Sequence, residues 1–248
     1  MKLIKATPLI SIITVVYNSA STLETTILSV LNQKQDLIDY WIIDGGSTDG
    51  SIDIIKRYEH MLSGWISEPD KGIYDAMNKG IDRVNGKWIY FLGADDVLNL
   101  KVLEQISPYL KTEYSLVFGQ VVFDNNYQMN SYLGKRTLFQ NTVHHQSAFY
   151  NKSVFSEFRY DSSLKILADY ELNLLLYIRK SLTLFVPLVI ATCATGGASS
   201  EFSRSLKETN IVRNRNIKSQ VKGKFLSIIL SLYYFQKKMR YYIYGHQV

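Results

Sequence analysis

What most restricts this chain is the way its apolar runs change period over the first third of its length. Unbroken β-branched and aromatic runs recur as "LISIITVVY", "DYWIID", "GWISE" and "WIYFLG", and between them apolar residues fall three or four apart. Short continuous runs read as strands buried on both faces, whereas the wider spacing reads as helices with one apolar stripe. The helical stretches are "NSASTLETTILSVLNQ", with Leu23, Ile27, Val30 and Leu31 on one face, "SIDIIKRYEHML", and "IYDAMNKGIDRV", striped by Ile73, Met77, Ile81 and Val84. Ser21 and Glu24 have capping-box spacing ahead of the first helix, and Thr48, Asp49 or Ser51 can cap the second. Strand alternating with helix predicts an α/β fold of parallel strands joined by right-handed crossovers.

In such a sheet the carboxyl ends of the strands share one edge, and ligands bind in the crevice there. The residues at those ends are Asn18, Asp44, Glu68 with Asp70, and Asp95 with Asp96. An ordinary capping aspartate accounts for any one of them; four polar strand ends on one edge predict a site. Asp95 and Asp96 are adjacent, and two neighbouring carboxylates at the end of a buried strand call for a neutralising cation. The pair of acids in a glycosidase flanks its scissile bond about 5–9 Å apart, so neighbours on one loop suit a metal better. With oxygen ligands only, and no Cys or His in the motif, Mn²⁺ or Mg²⁺ shared with substrate phosphates is the expected ion. The glycines of "DGGSTDGS" form neither a P-loop nor a GxGxxG turn, which argues against a triphosphatase or a dinucleotide enzyme.

After Asp96 the pattern is less regular. "KVLEQISPYL" reads as a short helix, "SLVFGQVVF" as a strand, "VHHQSAFYN" as containing another, and "SLTLFVPLVIATC" as one or two more. "KILADYELNLLLYIRK" is an apolar helix with Asp169 and Glu171 near its start; by position alone Asp169 is a helix N-terminal carboxylate favoured by the macrodipole. Adjacent histidines on a strand face opposite sides, so at most one of His144 and His145 is expected to serve a site. "GGASS" reads either as a Gly-hinged lid or as a plain turn. The single cysteine, Cys193, excludes an internal disulfide framework and fits a reducing compartment. The N-terminus superficially resembles a secretory leader, but Pro8 and "SIITVV" read better as a first strand, and no run reaches the roughly 20 apolar residues of a spanning helix.

Charge divides the chain unevenly. From Glu201 onward there are ten Lys or Arg against two acids, +8; the first 200 residues hold the other 18 bases and 20 acids, −2, which together give the net +6. We therefore expect an α/β domain over 1–200 and a basic, aromatic helical tail over 201–248. Residues 224–244, "KFLSIILSLYYFQKKMRYYIY", combine an apolar run with tyrosines and bases, as a helix at a membrane interface does. A terminal helix packed on the core is the alternative. Nothing in the chain resembles a nucleic-acid-binding motif, so no nucleic acid partner is expected.

Five stretches, "SIITVVYNSASTL", "WIIDGGSTDGS", "DKGIYDAMNKGI", "GKWIYFLGADDVL" and "ILADYELNLLL", in this order and spacing, resemble a family 2 glycosyltransferase. The similarity spans about residues 8–200 and is to bacterial enzymes that build O-antigen, capsule or other surface polysaccharides. It implies the GT-A fold, a Rossmann-like mixed, mainly parallel sheet with helices on both faces, and an inverting, metal-dependent transfer from a nucleotide-diphosphate sugar, a UDP-sugar first. On the donor side it implies Asn18, Asp44, Lys71, Asn78 and Asp95, with Asp44 taking a hydrogen bond from the nucleotide base. Asp96, with Asp95, would hold the metal; Asp169 would be the catalytic base; and His145 and Glu171 would lie on the acceptor side. The implied acceptor is a saccharide on a polyprenyl diphosphate, which places the protein in the cytoplasm, peripheral on the inner face of the plasma membrane.

Three positions depart from the family pattern. Gly45 and Gly93 stand where many members carry an acid, and Met77 stands where many carry an arginine, so that Lys71 or Lys79 would have to supply the cation. Gly93 and Met77 keep a non-catalytic scaffold in a polysaccharide-assembly complex as an alternative, beside a sugar nucleotidyltransferase.

Overall fold

The computed structural model describes residues 7–34, 36, 38–195, 202–217, 226–233, 235, 236 and 239. Each apolar run in the first 93 residues is a strand: β1 (Ile10–Val16), β2 (Ile38–Asp44), β3 (Gly64–Ser67) and β4 (Trp88–Gly93). Between them lie α1 (Leu23–Leu31), α2 (Ser51–Tyr58) and α3 (Ile73–Ile81). The strands pair in parallel in the order β3-β2-β1-β4, with Val16 opposite Asp44, Asp44 opposite Ser67 and Val15 opposite Gly93. This register brings the carboxyl ends level, as the alternation requires.

The second half turns the sheet mixed. After β5 (Val97–Leu98) and α4 (Val102–Ile106) come β6 (Leu116–Phe123), β7 (Gln128–Asn130), β8 (Ala148–Asn151), α5 (Ala168–Ile178), β9 (Thr183–Cys193) and α6 (Phe202–Asn216). β8 inserts antiparallel between β4 and β6, and β6 pairs in parallel with β9. The "SLTLFVPLVIATC" run is thus one long strand, which absorbs its irregularity in register shifts against β6.

The core lies in two layers, one per sheet face. Ile10, Ile12 and Tyr90 pack with α1, α2 and α4 on one side, and Ile13, Ile43 and Phe91 pack with α3 and α5 on the other. Local capping differs from expectation. Ser21 does not cap α1; Thr22 precedes that helix and sends its hydroxyl to the Ala94 carbonyl, 2.9 Å away, while Glu24 accepts from Tyr58 Oη. Gly50, at φ 102°, begins α2, and Asp49 receives the Ser51 N–H and hydroxyl.

The division expected at 200/201 and the "GGASS" segment fall within 196–201, outside the described residues. Beyond them α6 is docked on α5 as part of the α/β body, with Val212 buried in the core layer of α5. Residues 226–233 are helical; Leu226 and Leu230 are buried, and Ser227 joins Asn210 and Arg213 of α6. Among the described residues no helix is long and apolar enough to cross a membrane.

Candidate active site

A cavity of about 1710 Å³ opens over the carboxyl ends of β1, β2 and β4 and is walled on its far side by the start of α5 and by Ser205 and Thr209 of α6. Asn18, Asp95, Asp96, His145 and Asp169, all expected in a site, line it together.

The β4 end carries the aspartate pair. Asp95 is exposed and Asp96 is buried, at 3% exposure. Both carboxylates turn toward Gly93: a Cβ there would collide with Asp96 Oδ2 and lie 2.9 Å from Asp95 Oδ1. Gly93 therefore opens the space in which the two groups converge, and an acid at that position would fill it. Burial first, and then the Asp95 charge, lift the Asp96 carboxyl to about 6, against hydrogen bonds from Gln146 Nε2 at 2.5 Å and Ala194 N at 3.2 Å. A carboxylate lifted in this way is one that a cation would stabilise. Beside it, Gln146 Oε1 is buried and accepts no hydrogen bond. Two converging hard oxygens and an idle amide oxygen fit Mn²⁺ or Mg²⁺ with its remaining ligands drawn from phosphate and water. No group of three His, Cys, Asp or Glu suited to a metal exists among the described residues. Cys193, given no role in the sequence, ends β9 next to Asp96; burial and that charge push its thiol up, and it donates to the carboxylate.

Asp169 lies in the first turn of α5, 5% exposed, and each of its oxygens has a donor: Tyr74 Oη at 2.9 Å on Oδ1 and Asn141 Nδ2 at 2.6 Å on Oδ2. The orientation of Asn141 is imposed from behind, since its Oδ1 accepts from Asn173 Nδ2 at 3.1 Å and Asn173 Oδ1 accepts from Tyr150 Oη at 2.9 Å. Burial holds the Asp169 carboxyl above its ordinary value, while the Tyr74 and Asn141 hydrogen bonds pull it back. A buried, oriented carboxylate of this kind is poised to accept a proton. Tyr74, Asn141 and Gln146 are site residues that sequence reasoning missed. The available signal was their place inside "GIYDAMN" and "QNTVHHQ", beside positions already singled out.

Several expected residues lie elsewhere. Asp44 is wholly buried, and its carboxylate accepts from Gly46 N, Ser47 N, Ser47 Oγ and Ser67 Oγ, so it shapes the loop after β2 and does not line the cavity. Asp70 lines it there instead; a Cβ on Gly45 would strike the Asp70 carboxylate, so an acid at 45 and this position of Asp70 are mutually exclusive. Asn78 spends its amide on the Tyr160 backbone, giving to the carbonyl and taking from the N–H. Glu171 faces α6, accepting from Asn216 Nδ2 at 2.7 Å and pairing with Arg215 at 3.6 Å; two residues along a helix is about 200°, so with Asp169 in the cavity it must point away. Lys71 and Lys79 are outside the lining, and Lys79 is held by Glu68 and Asp75. The histidines are not on the strand: 145–147 form a 3₁₀ turn before β8, so the rings stack at 5.6 Å and both line the cavity. Burial drives each down to about 4, leaving them neutral near pH 7.

The mixed sheet, with its aspartate pair at the end of β4 and a buried carboxylate on the lining of the same cavity, has the GT-A fold that the family resemblance implies. Solved structures share this fold. S. aureus TarS 1-349 in complex with UDP-GlcNAc aligns at a TM-score of 0.70 and 12% identity over 96% of this chain and 76% of that one. Mannosyltransferase PcManGT from Pyrobaculum calidifontis in complex with GDP-Man and Mn²⁺ aligns at 0.66 and 15% identity over 89% and 68%. In sequence, the glycosyl transferase family 2 model matches residues 11–181. A PGL/p-HBAD biosynthesis glycosyltransferase of Mycobacterium tuberculosis is 30% identical over 197 residues, 75% of this chain and 77% of the relative. The chain belongs to glycosyl transferase family 2.

Proposed function

We propose that this glycosyltransferase moves a hexosyl or N-acetylhexosaminyl group, with inversion, from a UDP-sugar to a hydroxyl of a lipid-linked saccharide during bacterial surface-polysaccharide synthesis. The observation that carries the reading is the placement of the converging Asp95–Asp96 pair and the doubly hydrogen-bonded Asp169 on the lining of one cavity. Asp95 and Asp96 would hold Mn²⁺ or Mg²⁺, which as a Lewis acid offsets the charge growing on a diphosphate leaving group. Asp169 Oδ takes the proton of the acceptor hydroxyl; that oxygen bonds to the anomeric carbon as the bond to the diphosphate oxygen breaks, and one displacement inverts the configuration. Tyr74 and Asn141 keep the carboxylate aimed, and Asn18 and Asp70 line the donor side. Gly93, which as a lost acid would favour a scaffold, makes room for the pair and supports catalysis. A named UDP-GlcNAc complex among the structural neighbours supports UDP, and the GDP-Man neighbour makes GDP the control.

The lipid-linked acceptor and a position on the inner face of the plasma membrane are supported by the tail. Ile228, Leu232, Phe235 and Met239 recur at helical spacing and are 60%, 64%, 65% and 43% exposed, opposite the buried Leu226 and Leu230. An unpartnered apolar stripe followed in sequence by Lys237, Lys238 and Arg240 suits an anionic bilayer surface. Transfer from UDP-sugars to a short polyprenyl-diphosphate saccharide, with the new linkage read by NMR, tests the proposal. An inverted anomeric configuration is expected; retention, or release of UDP with no acceptor product under any donor, would overturn it.

A further inference from the structure

The cavity has a charge problem that Asp95, Asp96 and Asp169 do not solve. With Asp70 it presents four carboxylates, and a diphosphate brings further negative charge. A divalent ion at the aspartate pair offsets only part of this. Met77, on the lining, is buried at 2% exposure and brings no charge, and neither Lys71 nor Lys79 reaches the lining. Among the described lining residues the one ammonium or guanidinium group is on Lys165, three residues before the helix that carries Asp169.

Lys165 is placed by its surroundings. Its Nζ donates to the Lys71 carbonyl at 2.6 Å and reaches the Ser162 carbonyl at 3.5 Å, which bridges the loop after β3 to the segment entering α5. Its backbone N–H, with those of Ile166 and Leu167, is held by the buried Glu208 carboxylate of α6 at 2.9–3.0 Å. An ammonium has three N–H donors, so two carbonyl contacts fix the group and leave one for a ligand. We infer that Lys165 Nζ contacts a phosphoryl oxygen of a diphosphate bound in the cavity and supplies the side-chain cation that the rest of the described lining lacks. This rests on the transferase reading. Donor and lipid-linked acceptor both carry a diphosphate, and the contact belongs to that shared group.

The test is calorimetric titration of the full chain, wild type, Lys165→Ala and Lys165→Arg, in Mg²⁺ with UDP, uridine, inorganic pyrophosphate and farnesyl diphosphate. Losing one exposed charge-assisted hydrogen bond weakens binding by about tenfold. Lys165→Ala is expected to bind UDP and pyrophosphate about tenfold more weakly with uridine unchanged, and Lys165→Arg to recover most of the loss. A loss confined to farnesyl diphosphate would assign the contact to the acceptor. Equal weakening of uridine and UDP, or no change with any diphosphate, would overturn the inference. If pyrophosphate binds wild type but UDP does not, the UDP-donor reading fails while pyrophosphate still decides Lys165.

Discussion

Replacing Tyr74 by Phe removes one hydroxyl and keeps a buried ring that packs on Tyr160 at a centroid distance of 5.4 Å. The lost group is a 2.9 Å donor to Asp169 Oδ1, and both partners are buried, so solvent does not screen it. A hydrogen bond to a charged group contributes about 1.5–3 kcal/mol, and 1.36 kcal/mol corresponds to one pH unit, so the acid limb of kcat should move up by about one to two pH units. The direction follows from the base role: Asp169 acts ionised, burial already holds its carboxyl above the ordinary range, and Tyr74→Phe removes a force that opposes this. The same change has a stability signature that needs no substrate. An acid whose folded value is raised makes the folded chain bind more protons than the unfolded one, so stability falls as pH rises from the ordinary carboxylate range through the folded value. Tyr74→Phe widens that window, and its cost in urea unfolding should be larger near pH 8 than near pH 4. An acid limb that stays in place, together with a pH-independent stability loss, would refute the assignment of Tyr74 to the Asp169 carboxylate.

Other expectations follow from the same geometry. Gly93→Ala should keep its circular dichroism spectrum but bind Mn²⁺ with UDP about 10–100-fold more weakly, because the new methyl enters the space between the carboxylates; unchanged Mn²⁺ titration would count against a shared cradle. Glu208→Ala leaves three backbone N–H groups without their acceptor and should lower unfolding free energy by about 2–4 kcal/mol in urea, whereas a cost below about 1 kcal/mol would mean the clamp is dispensable. Leu232→Asp with Phe235→Asp should abolish flotation on vesicles containing anionic lipid and leave UDP affinity intact; flotation that persists would remove the tail as the membrane contact.

Much of the N-terminal half was legible because a parallel sheet imposes both its period and its edge. Strands through Gly93 announced themselves by unbroken apolar runs, and the register then forced Asn18 and Asp95–Asp96 onto one rim. Asp44 shows the limit of that logic. A strand-end carboxylate satisfied by four local donors looks the same in sequence as one facing a ligand, and only burial separates them. The second half was harder because β8 enters antiparallel between β4 and β6, a pairing set by long-range packing and not by local pattern. His144 and His145 were misplaced for the same reason, since the strand begins only at Ala148. The tail looked electrostatically separate, yet α6 contributes Glu208, whose three hydrogen bonds reach 41–43 residues back along the chain. No periodicity signals a contact of that kind.

If Asp95 and Asp96 hold a divalent ion together with a nucleoside diphosphate, thermal unfolding reports it. Wild type and Asp96→Asn would be melted with UDP, GDP, dTDP, ADP and CMP, each with and without Mn²⁺. Binding to the folded state raises the melting temperature by mass action, so UDP should stabilise wild type only with Mn²⁺, and Asp96→Asn should lose that increment. Equal stabilisation without the ion, or an Asp96→Asn protein that responds as wild type does, would contradict the account.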